Sequence, residues 1–188
     1  MRIISGEFKG KKILKPKDLN TRPLKDLTKE SIFNVLNHSN KFKVLINRSI
    51  ILDIFSGVGS FGIECLSRGA ANVIFIENYK QVLLILKKNL SNLKSIKNYT
   101  VVEKDAYDKK TINNLNYRFD VIFLDPPYKD KNLNTILKNI ENEKLLNENG
   151  IIILHRHKKS NDIFPSNFKV IEEKKYGISK IIFLSSSS

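Results

Sequence analysis

Two rhythms of apolar residues alternate along the chain. Short, near-continuous runs occupy residues 50–54 (IILDI), 73–76 (VIFI), 99–102 (YTVV), 121–124 (VIFL) and 151–154 (IIIL). Such runs, rich in β-branched residues and bounded by polar stretches, are the pattern of strands buried on both faces. Between them, apolar residues at helical spacing predict helices over 63–67, 82–93 and 133–140, with a weaker helical stretch before residue 121. Strand and helix in alternation predict an α/β fold, a parallel sheet covered by helices on both faces. The end of the chain differs. Residues 168–175 and 178–184 predict two strands with only Tyr176-Gly177 between them. That gap is too short for a parallel crossover, so an antiparallel hairpin is expected to close the sheet, giving seven strands.

The first 43 residues follow another pattern. Residues 2–14 predict two short strands around Gly6 and Gly10, residues 15–23 a polar connector containing Pro16 and Pro23, and residues 28–37 a helix capped by Thr28. We therefore divide the chain into an arm with a first helix (1–43) and a sheet domain (44–188). The arm carries much of the charge. The whole chain has 33 basic and 19 acidic residues, a net charge of +14, and residues 1–43 hold eleven of the basic and four of the acidic ones. A basic field of this size draws polyanions, and its concentration in the arm points to nucleic acid. No apolar run approaches the ~20 residues of a membrane span, and the N-terminus has no signal-peptide core. The single cysteine, Cys65, is expected to pack inside a helix and suits a reducing cytoplasm.

The turn after the first strand is Asp53-Ile-Phe-Ser-Gly57-Val-Gly59-Ser-Phe-Gly62. Its glycines fit G-x-G-x-x-G between a strand and a helix, a turn that lets a nucleotide-like ligand approach the backbone closely. Three acids fall at or just past strand ends: Asp53, Glu77 and Asp105. Ligands of open α/β sheets lie over those ends, and an acid about twenty residues past the loop suits ribose hydroxyls. The pattern alone leaves a dinucleotide and S-adenosylmethionine both open, although an acid directly below the loop suits the cationic amino-acid tail of the second.

The fourth strand ends in Asp125-Pro126-Pro127-Tyr128. Two prolines stiffen the turn and remove two backbone donors. Its carbonyls are then expected to be free, beside the acceptor Asp125 and the flat face of Tyr128. Acceptors in one plane next to an aromatic ring suit a base with an exocyclic amine. Held by Asp125 and the Pro126 carbonyl, that nitrogen becomes tetrahedral and aims its lone pair at an electrophilic methyl.

At this point the chain resembles the S-adenosylmethionine-dependent amino-methyltransferases of the seven-stranded Rossmann-like class I. Most closely it resembles the RsmD family, which methylates N2 of a guanine in bacterial 16S ribosomal RNA. The resemblance runs through Arg2-Ile-Ile-Ser-Gly6 and Gly10, Arg22-Pro23, Lys29 to Asn34, Leu52 to Ala70, Phe75-Ile-Glu77 and Asp125 to Tyr128. It implies that Asp53 with Phe55, Ser56, Gly57 and Gly59 holds the methionine part of the donor. It places the ribose on Glu77 with Asn78, the adenine on Asp105 with Ala106, and the target guanine on Asp125, Pro126, Pro127 and Tyr128. RNA would meet Arg2, Lys9, Lys11, Lys12, Arg22 and Lys29. The implied partner is ribosomal RNA or the small subunit, assembled or partly assembled, met by a cytoplasmic monomer. The chain departs from the family at two places: Tyr79 stands where an acid is usual, and His155-Arg156-His157 where the family often has glutamate. The two histidines lack a third metal ligand, so a solvated or RNA-facing basic strand end is expected there and no metal. A DNA amino-methyltransferase shares the Asp-Pro-Pro-Tyr turn, but leaves no part of the 188 residues for separate DNA recognition. A nicotinamide-dependent oxidoreductase explains the glycine loop but not the turn or the arm. A non-catalytic RNA-binding protein explains neither motif.

Overall fold

In the computed structural model, which describes residues 1–16, 24–41 and 43–187, the apolar runs become seven strands: β1 (Ile50–Ile54), β2 (Asn72–Ile76), β3 (Tyr99–Val102), β4 (Phe119–Leu124), β5 (Leu146–His157), β6 (Phe168–Tyr176) and β7 (Ser179–Ser186). The helices are α1 (Asp26–His38), α2 (Ser60–Ser67), α3 (Lys80–Ser91), α4 (Lys109–Asn113) and α5 (Leu133–Asn142). One sheet holds all seven strands in the order β3-β2-β1-β4-β5-β7-β6. β1 pairs in parallel with β2 and β4, while β7 runs antiparallel between β5 and β6. The chain winds outward from β1 to β3 and then returns to lay β4 on the other side of β1. That reversal opens a crevice over the carboxyl ends of β1 and β4, where a ligand can lie.

Alternation along the central strands divides the core in two. Ile51, Val73, Phe75, Val121, Phe123, Ile151 and Ile153 face α1, α2, α3 and the arm. Leu52, Ile54, Ile74, Ile122, Leu124, Ile152 and Leu154 face α4 and α5. Two-sided burial is why these runs are continuous rather than alternating. Among the described residues, no helix is long and apolar enough to cross a membrane.

The elements differ from the sequence expectation at three informative places. The arm does not form two strands. A single bridge joins Arg2 to Lys12, because the intervening backbone bonds to α2 instead: Glu64 accepts from the amides of Ile4 and Ser5 at 2.8 and 2.9 Å, and the Ser67 carbonyl from that of Glu7 at 2.8 Å. Gly6 sits so close that a Cβ there would lie 1.8 Å from the Ser67 carbonyl oxygen. Ile3, Phe8 and Ile13 are buried in the same core as α1 to α3. Second, α1 begins at Asp26, with Lys25 at its cap and Thr28 buried inside the first turn. Third, β5 continues past Leu154 through His155, Arg156 and His157, which pair with Ile181, Lys180 and Ser179 of β7. Their polarity hides a strand that sheet pairing imposes.

Candidate active site

A cavity of about 760 Å³ opens over the carboxyl ends of β1, β2 and β4. Its glycine loop is tightly determined. Phe55 has a φ of 58°, Gly57 of 55° and Gly59 of 82°, left-handed conformations that cost a side chain of order 1 kcal/mol or more. α2 begins inside the motif, so Gly62 lies within the helix. A Cβ on Gly62 would stand 2.3 Å from the Phe75 ring, and its absence lets α2 press onto β2.

Asp53 lies on β1 beneath the loop and is 1% exposed. Its Oδ2 accepts from the Gly62 amide at 2.9 Å, while Oδ1 is buried with no hydrogen-bond partner among the described residues. Burial pushes this carboxyl well above the usual carboxylate range; nearby Asp125 and Glu77 push the same way, and the Gly62 amide opposes them. An orphaned buried acceptor facing a cavity is unfavourable unless a donor, best a cation, fills the space. Glu77, just past β2, clamps the loop: Oε2 accepts from the Gly57 amide at 2.8 Å and Oε1 from the Asn78 and Tyr79 amides at 2.9 Å each. Asp105 is exposed at the rim and accepts from the Tyr107 amide at 2.9 Å. The tilted Phe55 and Tyr107 rings, 5.4 Å apart, form an aromatic wall beside it. Burial and the facing Asp130 push the Tyr107 hydroxyl up, so it stays protonated.

The Asp125–Tyr128 turn forms the other wall. One carbonyl expected to be free is not: that of Pro127 accepts from the Asp130 amide at 2.8 Å and from Arg156 Nη1 at 3.4 Å. Among the described residues, the Pro126 carbonyl takes no hydrogen bond. Arg156 is 3% exposed and also donates to the Asp130 carbonyl at 2.9 Å and to Asp162. It pins the turn from behind. His155 is 4% exposed and stands beside Asp125. These two residues therefore support the turn, and the expected solvated or RNA-facing strand end is corrected: pairing to β7 carries them inside. Among the described residues, no group of three or more histidines, cysteines and acids is arranged to hold a metal.

The cavity thus gathers Asp53, Phe55, Ser56, Gly57, Glu77, Asn78, Asp105 and Asp125 to Tyr128. Gly59 and Ala106 are not among its lining. Gly59 faces α3, where a Cβ would meet Leu86 at 2.5 Å, and Ala106 packs in the core under α4 and α5. Sequence reasoning missed Leu24, Tyr107, Asp130 and His155 on the lining. Only His155 carried a signal, as a polar residue directly after an apolar run.

Of the arm residues, Arg2, Lys9, Lys11 and Lys12 are exposed. Arg22 lies outside the described residues. Lys29 is corrected: its side chain is 0% exposed and cannot meet RNA. Its ammonium donates to the Arg2 carbonyl at 2.8 Å and lies 3.5 Å from Glu64, which is also fully buried. Burial lowers the Lys29 pKa against the pull of Glu64 and Asp26.

A family model described as conserved hypothetical protein 95 matches residues 1–185. The chain belongs to this family, the RsmD family of the motif resemblance. A relative from Buchnera aphidicola named ribosomal RNA small subunit methyltransferase D is 34% identical over 174 residues, spanning 92% of this chain and 86% of its own length. One of the same name from Haemophilus influenzae is 35% identical over 179 residues, spanning 95% and 90%. Among solved structures, Escherichia coli yhhF superposes with a TM-score of 0.84 at 27% identity, covering 100% of this chain and 98% of that one. The expected seven-stranded class I methyltransferase fold is borne out.

Proposed function

We propose that the protein transfers a methyl group from S-adenosylmethionine to the exocyclic N2 of a guanine in bacterial small-subunit (16S) ribosomal RNA. The observation that carries this reading is the pairing, in one cavity, of an orphaned Asp53 oxygen with the Asp125–Tyr128 turn. The charge of the lining supports the donor. Among the described lining residues, Asp53, Glu77, Asp105, Asp125 and Asp130 stand against Lys129 and His155. Such a lining repels a pyrophosphate and favours a sulfonium with a free amine. The names of its relatives support the RNA substrate.

Asp53 would take the amino group of the donor on Oδ1, Glu77 and Asn78 the ribose, and the wall of Asp105, Phe55 and Tyr107 the adenine. Tyr128 would stack on a guanine splayed from its RNA. Asp125 and the Pro126 carbonyl would accept its two amino hydrogens. Bound S-adenosylmethionine supplies the electrophilic methyl: the nitrogen lone pair forms the C–N bond as the C–S bond breaks and its electron pair returns to sulfur. Asp125 takes the proton that the methylated nitrogen then loses and passes it to water. Residues 1–43 would present Arg2, Lys9, Lys11 and Lys12 to RNA phosphates, and residues 44–188 would carry donor and target. We place the protein in the cytoplasm, where the free thiol of Cys65 stays reduced. We infer that it acts as a monomer on assembled or partly assembled subunits.

Calorimetric titration tests the donor: S-adenosylmethionine binds and nicotinamide dinucleotides do not, and the reverse would overturn the reading. Asp53 adds a signature. A cation beside it favours the carboxylate, so binding expels a proton wherever the empty site holds Asp53 protonated, and affinity rises with pH. Titration in two buffers of different ionisation enthalpy measures that proton, and Asp53→Asn removes it while weakening binding about 100-fold, near 2.7 kcal/mol. The arm has its own test. Replacing Lys9, Lys11 and Lys12 together with alanine weakens RNA binding and reduces the slope of log affinity against log salt by about 2–3. An unchanged slope would place the RNA elsewhere.

A further inference from the structure

The polar end of β5 has no role in the chemistry above. β4 and β5 run parallel with Leu124 opposite Leu154, so the next residues, Asp125 and His155, stand side by side on one face. His155 Nδ1 lies 2.8 Å from Asp125 Oδ1. His155 Nε2 lies 2.9 Å from Ser179 Oγ, its diagonal neighbour on β7, and 3.4 Å from the Tyr128 hydroxyl. Ser179 Oγ and the Tyr128 hydroxyl are 3.1 Å apart. His155 and Ser179 are 4% and 5% exposed.

The distances order the hydrogens. Two acceptors do not meet at 2.8 Å, so Nδ1 carries the hydrogen and donates to Asp125. In the neutral ring Nε2 is then an acceptor, and the Ser179 hydroxyl donates to it. Ser179 Oγ is left to accept from Tyr128. The bonds run one way, from Tyr128 through Ser179 and His155 to Asp125. Asp125 Oδ1 is thereby occupied, and Oδ2 is left for a ligand in the cavity. His157, two residues on and on the same face, sets its ring edgewise to Tyr128 at 5.2 Å. Arg156, on the opposite face, is committed to Asp162 and to the carbonyls of Pro127 and Asp130. Ser, His and Asp in a row resemble a hydrolase triad, but the order is turned around: the carboxylate meets the cavity and the hydroxyl is buried.

We infer that His155 is a positioning residue for methyl transfer: by holding Asp125 Oδ1 it aims Oδ2 at the target amine, and through Ser179 it fixes the Tyr128 ring to the same frame. The inference rests on the function proposed above. Displacement of a reacting group by about 1 Å can cost about 100-fold in rate. The chain therefore sets kcat, while donor binding, which uses Asp53 and Glu77, is independent of it.

Two measurements test this. Long-range ¹H–¹⁵N spectra of the imidazoles require only that the protein fold, and the sequence has three histidines. The signals lost in His155→Asn belong to His155, and in the neutral ring they should show Nδ1 protonated and Nε2 bare. The opposite tautomer would overturn the inference whether or not transfer is observed. In kinetics on small subunits, His155→Gln and His155→Leu should lower kcat about 30- to 100-fold, with KM and the dissociation constant of S-adenosylmethionine within twofold of wild type. His155→Asn should recover to within about fivefold, because its amide nitrogen occupies the place of Nδ1. A merely structural residue would lose rate in step with melting temperature and show no preference for Asn over Gln. Failure of the wild-type protein to transfer methyl would count against the proposed function. A working wild type that His155→Gln leaves within twofold would overturn the role of His155 alone.

Discussion

Asp125→Ala should lower single-turnover methyl transfer about 1000-fold, near 4 kcal/mol of transition-state stabilisation, without loss of donor binding. The side chain is partly open to the cavity and its Oδ1 is already held by His155. One oxygen therefore remains to draw out the amine's lone pair and to take its proton. Alanine removes both services and leaves the glycine loop, Asp53 and Glu77 in place. Asp125→Asn should fall between, because an amide keeps a neutral acceptor but cannot take the proton. It also meets His155 with either an oxygen or an opposed donor, so it loses orientation as well. Calorimetry with S-adenosylmethionine separates chemistry from folding. Full activity in Asp125→Ala would remove the turn from the mechanism.

Glu64→Leu should destabilise the fold by about 3–5 kcal/mol, the usual cost of stranding a buried charge. Glu64 receives the amides of Ile4 and Ser5, the Arg68 guanidinium at 2.9 Å and the Lys29 ammonium at 3.5 Å. Its loss leaves Lys29 buried with Asp26, 3.9 Å away, as the remaining acid beside it among the described residues. Adding Lys29→Met should restore much of the loss, since two apolar residues can fill the volume of a buried ion pair. The sign of the pH effect follows from Lys29. Its folded pKa lies below the unfolded value, and loss of Glu64 lowers it further. Between the two values the unfolded chain binds more protons, so the stability of Glu64→Leu rises as the solution becomes more alkaline. Thermal unfolding across pH measures this, and hydrogen exchange at the Ile4 and Ser5 amides reports the loosened arm. A melting temperature unchanged from wild type would show that the arm is held by its apolar residues alone.

The sheet was legible because its central strands are buried on both faces, which leaves an unbroken apolar run in the sequence. The glycine loop was legible because left-handed turns and the pressing of α2 onto β2 admit little but glycine. Lys29 misled for a physical reason: a lysine in a basic arm looks solvated, and only the fold brings the fully buried Glu64 across 35 positions to meet it. His155 and Arg156 misled in the opposite direction. Their polarity says surface, yet pairing with β7 carries them inside, where Asp125 and the carbonyls of the turn satisfy them. Ala106 and Gly59 occupy the right segments, but their Cα positions face the core and α3. A motif marks which stretch of chain builds a site, and the packing of its neighbours decides which atoms reach the ligand.

The central claim is that a donor on the Asp53–Glu77 side of the cavity delivers its methyl to a base amine held at Asp125. Transfer of isotopically labelled methyl from S-adenosylmethionine to small ribosomal subunits lacking their own modifications, followed by mapping of the labelled nucleoside, tests it most directly. The expected product is a single N2-methylguanine in the subunit RNA, absent with Asp125→Ala. Label on adenine or cytosine of duplex DNA, with none in the subunit, would contradict it.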